Sequence, residues 1–366
     1  MVKDRLYINI KRMFVRRKKY GFAWKGMGAA ACLVLSCLCV SCGDPVETSF
    51  NPAYFNLPET AFFPTETNIP ADNRLSAEGV ELGRYLFYDN RIAATSENPE
   101  GVSCSECHRQ AAAFDCGADN LRFVRGGLPL PLQNLAYNTR ALGWSGTAVY
   151  PATTLEDFIR LTLADSAEFA LPTDNIIAHI AAIPLYSKLY EAAFGTQDIT
   201  LDRTAKALAQ FVRTLTSTHS KFDRYMRGEE RLSDEEMQGY VLFTTEEGAD
   251  CFHCHGGAGN VLFSTYMLAV NGLDESDVAY RIPSLRNIAH TAPYMHDGRF
   301  ATLEEVIDRY SEHVYVTPHI SPLMHHADEG GVQLTPREKQ CLKAFLLTLS
   351  DEDFITNPRF SNPFEK

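Results

Sequence analysis

Two stretches of this chain carry residue types whose order can do chemistry on a metal: Cys104-Ser105-Glu106-Cys107-His108 and Cys251-Phe252-His253-Cys254-His255. Two thiols three residues apart, followed at once by an imidazole, form the pattern that attaches haem c. The thiols add to the vinyl groups of the porphyrin, and the histidine of the same turn reaches the iron as proximal ligand. One such pentapeptide alone also fits chance or half of a zinc site. Two copies behind an export-type leader point to two covalent haems c, one on Cys104, Cys107 and His108 and the other on Cys251, Cys254 and His255.

Each attachment turn follows a helix, and the two approaches are related. Leu75-Ser76, Gly83, Leu86-Phe87 and Cys104 are echoed by Leu232-Ser233, Gly239, Leu242-Phe243 and Cys251. Ser76 reads as an N-cap, and Ser233 with Glu236 has capping-box spacing. Between the copies, apolar periodicity predicts helices over 155–163, 173–183, 185–194 and 201–215, broken by Pro172, Pro184 and Gly195. A further helix is expected over 302–310, and Thr335-Pro336-Arg337-Glu338 opens the last one with a cap and a proline at the first helical position. No alternating strand pattern of useful length is present. The expected fold class is mainly α, with two tandem cytochrome-c-like domains over 75–225 and 226–351. A tether and extended segment over 42–74 precede them, and a tail over 352–366 follows.

The 366-residue chain is long enough for two domains of common size and has an ordinary globular composition, 45% hydrophobic and 22% charged. Its first part differs. Positions 1–25 hold nine Lys or Arg and one Asp, and a short apolar run from Met27 to Val40 follows. This reads as a secretory signal rather than a membrane span. The run ends Leu38-Cys39-Val40-Ser41-Cys42-Gly43-Asp44, which resembles a bacterial lipoprotein signal over 1–41 with Cys42 as the lipidated first residue of the mature protein. The expected place is the periplasm or cell envelope, with the membrane reached through a lipid anchor on Cys42. Removal of 1–25 takes the formal charge from −12 to −20. So acidic a protein excludes nucleic acid as a partner and favours a basic docking face on any charge-steered one. Of the remaining cysteines, Cys116 and Cys341 either pair or stay as buried thiols. His319, His325 and His326 have no matching second set of ligands and read as a solvated loop.

Beside the two attachment motifs stand Arg281-Ile282-Pro283-Ser284-Leu285-Arg286-Asn287 and Ala292-Pro293-Tyr294-Met295-His296-Asp297-Gly298. Together they resemble the bacterial di-haem cytochrome c peroxidases and their MauG-type relatives, from about Leu75 to Leu349. The resemblance implies that the first haem reacts with hydrogen peroxide and that the second exchanges electrons with a donor or a protein substrate. It makes Trp144 the tryptophan between the haems, a stepping stone for an electron, and Glu168 the distal glutamate that moves a proton as the peroxide bond breaks. The position of the second iron's sixth ligand, seventeen residues after Pro293, is Tyr310. Conventional peroxidases place methionine there and MauG-type enzymes tyrosine. A thioether favours ferrous iron, whereas a phenolate favours higher oxidation states. A packed aromatic role for Tyr310, with His313, Met295 or Met324 on the iron, is the alternative.

Three departures from the family pattern matter. No histidine lies between His108 and Trp144 to cap the resting first iron, so that iron is expected to be open without reductive activation. The distal glutamine position is Phe158, which removes one hydrogen-bond donor. The asparagine that helps bind calcium corresponds to Leu128; the carbonyls of Thr291 and Pro293 remain, but calcium needs several oxygens. The leading expectation is a di-haem c peroxidase that takes electrons from a small cytochrome or copper protein. The rivals are a MauG-type oxidant that modifies a partner protein and a non-catalytic di-haem electron carrier.

Overall fold

A computed structural model describes residues 50–119, 121, 127–140, 142–144, 154–169, 171–257 and 259–365. The expected signal over 1–41 and the lipidation site Cys42 lie outside the described residues. Among the described residues, no helix is long and apolar enough to cross a membrane.

The described chain is mainly helical. In the first half run α1 (Ala77–Tyr88), α2 (Cys104–Cys107), α3 (Leu155–Ala164), α4 (Ser166–Phe169), α5 (Thr173–Ala182), α6 (Pro184–Phe194) and α7 (Leu201–Thr214). The second half holds α8 (Lys221–Met226), α9 (Asp234–Phe243), α10 (Phe252–His255), α11 (Leu303–Glu312), α12 (Pro336–Leu347) and α13 (Glu352–Thr356). One two-residue antiparallel pair, β1 (Leu268–Ala269) with β2 (Tyr280–Arg281), is the regular sheet of the described residues.

Local chemistry sets the helix starts. The Ser76 hydroxyl accepts the Gly79 N–H at 3.0 Å and begins α1. Ser233 with Glu236, Thr302 with Glu305 and Thr335 with Glu338 form reciprocal capping boxes on α9, α11 and α12. Pro184, expected as a break, is instead the first residue of α6, where its missing N–H costs nothing. Gly195 ends that helix at φ 77, a left-handed turn that glycine adopts freely.

The repeated glycines have a packing reason. A Cβ on Gly83 would stand 2.0 Å from the carbonyl oxygen of Ala207, and one on Gly239 would stand 1.9 Å from that of Cys341. Glycine therefore lets α1 lie against α7, and α9 against α12, backbone to backbone. Around the first crossing, Leu82, Leu86, Phe87, Ile176, Tyr186, Tyr190 and Phe211 form one buried core. Around the second, Phe222, Leu242, Phe243, Phe263, Leu342 and Phe345 form another. The last residues do not trail free. Phe354 and Phe360 are part of the first core, the Tyr88 hydroxyl donates to the Phe360 carbonyl at 2.7 Å, and Arg84 Nε donates to the Ser361 carbonyl at 2.7 Å. The 50–74 segment is tied down as well: Phe63 packs with Tyr137, Val261, Leu262 and Tyr266 in a smaller cluster that joins the halves.

Each half also buries an ion pair. Arg213 on α7 holds both carboxylate oxygens of Glu156, at 2.5 and 2.9 Å. Arg286, fully buried, grips Asp223 on α8 and donates to the Val261 carbonyl at 2.8 Å. Burial alone would raise these carboxyls, but the hydrogen bonds and charge of the facing arginine prevail and hold Glu156 and Asp223 below the usual range. Cys116 and Cys341 are both buried and are not joined in a disulfide.

Candidate functional site

Both pentapeptides fold into one short turn that brings their side chains to a cavity wall. Cys104, Cys107 and His108 line a cavity of about 440 Å³. Cys251, Cys254 and His255 line a second of about 230 Å³. The histidines are fixed in the same way. His108 donates Nδ1–H to the Phe114 carbonyl at 3.0 Å, and His255 donates to the Phe263 carbonyl at 3.1 Å. Each acceptor sits on a phenylalanine in the left-handed region, at φ 61 and φ 49, a conformation that non-glycine residues rarely adopt. A backbone carbonyl on Nδ1 sets the tautomer and leaves Nε2 as the coordinating nitrogen. Burial pushes both imidazoles down to about 4, so they are neutral and ready to ligate. Burial pushes the Cys104 and Cys251 thiols up to about 12, which marks apolar walls of the kind a porphyrin face needs.

The first cavity holds further chemistry. Glu168, on the single turn α4, lines it beside Phe158 and Leu128, and its charge is felt by the Cys104 thiol. In the second cavity stands Tyr310, near the end of α11, whose hydroxyl accepts from the Asn271 side-chain amide at 3.1 Å. Burial pushes that phenol up to about 12. Met295 and Met324 line the same cavity, while His313 is not among the lining residues.

Trp144 lines both cavities, as do Tyr280, Arg281 and His296. Its indole N–H donates to the Leu128 carbonyl at 2.6 Å, its own carbonyl accepts the Arg281 N–H at 2.6 Å, and the Leu128 N–H donates to the His296 carbonyl at 2.7 Å. His296 stacks on Tyr280 with centroids 4.0 Å apart and meets Trp144 edge-on at 6.5 Å. These residues form the partition between the cavities. Arg281 is the notable member. It is buried with its Nε unpartnered, and burial pushes its guanidinium down to about 10. An arginine so placed suits a bound anion, and a porphyrin propionate supplies one. The thiols, the oriented imidazoles, the apolar walls and this buried cation, held by Nη1 on the Leu142 carbonyl at 2.6 Å with Nε left over, all fit haem c.

The comparisons agree with this geometry. The family model described as di-haem cytochrome c peroxidase matches residues 77–231. The chain is 33% identical over 303 residues to the methylamine utilization protein MauG of Methylorubrum extorquens, covering 77% of this chain and 81% of that protein. The chain belongs to the di-haem cytochrome c peroxidase and MauG family. To the cytochrome c551 peroxidase of Nitrosomonas europaea it is 29% identical over 257 residues, 64% of this chain and 72% of the relative. A solved MauG-like protein associated with microbial copper homeostasis shares 31% identity at a TM-score of 0.71, covering 84% of this chain and 99% of that one. The di-haem peroxidase BthA of Burkholderia thailandensis, at 18% identity and TM-score 0.62, shares the fold. Family membership implies haem c cofactors, and the two cavities are where this chain's residues fit them.

Some of the partition escaped the sequence. Arg281 and His296 lie within the quoted phrases, so their place was signalled although no role was. Nothing in the sequence singled out Asn271 or the carbonyls of Phe114 and Phe263. His319 and His325 are exposed, as the solvated-loop reading expects, but the expectation that no second set of ligands matches these histidines is corrected. His319 does pair with Asp277 at the surface, but His325 lies within reach of Glu246 and His253, two residues that the sequence leaves far away.

Proposed function

We propose that the chain is an exported, peroxide-consuming di-haem c oxidoreductase, lipid-anchored through Cys42, with a reacting haem on residues 75–225 and an electron-sharing haem on 226–351. The observation that carries this reading is the pair of unlike cavities meeting at Trp144. Glu168 lines only the first and Tyr310 only the second.

Bound at Cys104, Cys107 and His108, haem would supply an iron that binds peroxide and accepts its oxidising equivalents. Glu168 takes the proton from one peroxide oxygen and delivers it to the other, so that the leaving oxygen departs as water. Phe158, in place of an amide, keeps that pocket short of a second donor and slows turnover. Trp144 offers an aromatic bridge between the cavities. Its bond to Leu128 and its edge contact with His296 hold the ring still.

Two continuations remain: electrons from a small redox protein, or oxidation of a side chain on a partner protein. Tyr310 favours the second. A phenol in the second cavity suits higher oxidation states, where a thioether would favour stored ferrous electrons. The similarity to MauG supports the same branch.

One equivalent of peroxide mixed with the holoprotein in stopped flow separates the branches. Spectral changes on both haems that persist without a donor support the partner-oxidant branch; rapid recovery with oxidation of added reduced cytochrome c supports the donor-fed one. Glu168→Gln is expected to lower peroxide consumption roughly 10²–10⁴-fold with haem content unchanged. Unchanged consumption would overturn the proposal in favour of a simple electron carrier.

A further inference from the structure

A cluster of metal-ligating side chains stands outside the residues assigned above. Glu246 follows α9, His253 lies between Cys251 and Cys254 at the start of α10, and His325 comes from the loop before α12. One ligand atom from each lies within 4.8 Å of the others. His253 Nε2 is 3.4 Å from the Glu246 carboxylate. The two imidazole rings meet edge-on, with centroids 4.5 Å apart.

What distinguishes this cluster from a chance surface group is the residue behind it. The side chain of Asp250 is only 5% exposed, and it faces both rings at once: it accepts from His253 Nδ1 and stands 3.5 Å from His325 Nδ1. Asp250 holds this position at φ 53, a conformation that costs a non-glycine residue free energy. With both Nδ1 atoms turned to one buried carboxylate, each ring presents Nε2 away from it. That is the carboxylate–histidine arrangement that orients imidazole ligands and raises their basicity. His326 adds a brace, since its Nε2 donates to the Glu246 backbone carbonyl at 3.1 Å and ties the two loops together.

We propose that Glu246, His253 and His325 bind a divalent cation of the borderline class, zinc or copper(II), with Asp250 as the outer carboxylate. Two imidazoles and a carboxylate suit those ions and leave a coordination position open to solvent. Calcium and magnesium would want more oxygens than the cluster offers. The site stands apart from the peroxide chemistry, yet it touches the second cavity, because Asp250, His325 and His326 also line that cavity. A cation here places positive charge beside the second haem and favours its reduced form.

Untagged holoprotein dialysed in parallel against Zn²⁺ and Cu²⁺ tests the proposal. The expected result is one equivalent of metal beyond the haem iron. His325→Ala and Glu246→Ala each weaken its binding by at least roughly tenfold, and Asp250→Asn does so by roughly 10–100-fold, each measured per haem bound. His319→Ala, whose ring pairs with Asp277 away from the cluster, binds as wild type. In the Cu²⁺ form, electron paramagnetic resonance shows coupling to two imidazole nitrogens, falling to one in His325→Ala. Absence of the extra equivalent, or a His325→Ala protein that holds it with wild-type affinity, would show that the rings are only ion-paired to Asp250 and Glu246 and would overturn the proposal.

Discussion

The two halves share a frame and differ in what surrounds it. In each, a serine-capped helix crosses a partner at a glycine, an attachment turn follows, and the turn's histidine donates to a phenylalanine carbonyl held at positive φ. The cavities around these turns have diverged. The first is the larger and contains Glu168 beside Phe158; the second contains Tyr310 steadied by Asn271. Attachment chemistry alone therefore does not distinguish a reacting haem from an electron-sharing one. Under the proposed function, Glu168 and Tyr310, each supplied by a helix well beyond its attachment turn, would make the distinction.

The sharpest way to break that contrast is at Glu168, where the expected loss in peroxide consumption is the largest effect. The same spectra should show the second haem undisturbed. Tyr310→Met is expected next. It should raise the midpoint potential of the second haem within the roughly 0.8 V range that axial ligands command, while potentiometry finds the first haem unmoved. A shift in both would mean that the ligand of the second iron also sets the potential of the first across the partition.

The buried ion pairs give the contrast a thermodynamic edge. Glu156→Gln and Asp223→Asn each leave a buried arginine uncompensated and should cost about 3–5 kcal/mol in denaturant unfolding. Folding lowers both carboxyl pKa values. Their contribution is therefore complete above the unfolded value near ~4 and is lost as pH falls through the folded value. Each variant should flatten the acid limb of the stability curve, and equal flattening would show the halves to be alike in this respect. Smallest are the helix crossings. Gly83→Ala and Gly239→Ala both force a methyl group against a backbone carbonyl and should destabilise by about 1–3 kcal/mol each. A calorimetric melt in which only one of them is harmful would show that the repeated frame is not equivalent in the two halves.

Much of the frame was legible because it is written locally. The caps at Ser76, Ser233 and Thr335, the helix from Thr173 and the attachment turns each depend on residues a few positions apart. Pro184 was read as a break and proved to be a start, since both roles use the same missing donor. Features that depend on distant chain were not legible. Asp250 meeting His325, Asn271 meeting Tyr310, and Arg281 with its Nε unpartnered in the wall between two cavities are outcomes of packing. No spacing rule connects those positions. Phe158 and Glu168 could be placed in a pocket through the family resemblance; their sharing of one wall with Cys104 comes from the fold.

The end of the chain carries a consequence for how the protein is made. Phe354 and Phe360 complete the core of the leading half, with Arg84 and Tyr88 fastening them. Synthesis runs from the amino terminus, so that half emerges before Phe354 and Phe360 and stays unfinished until they arrive. A stop codon shortly before Phe354 would leave a hole in the core around α1 and α7, far from the damage along the sequence.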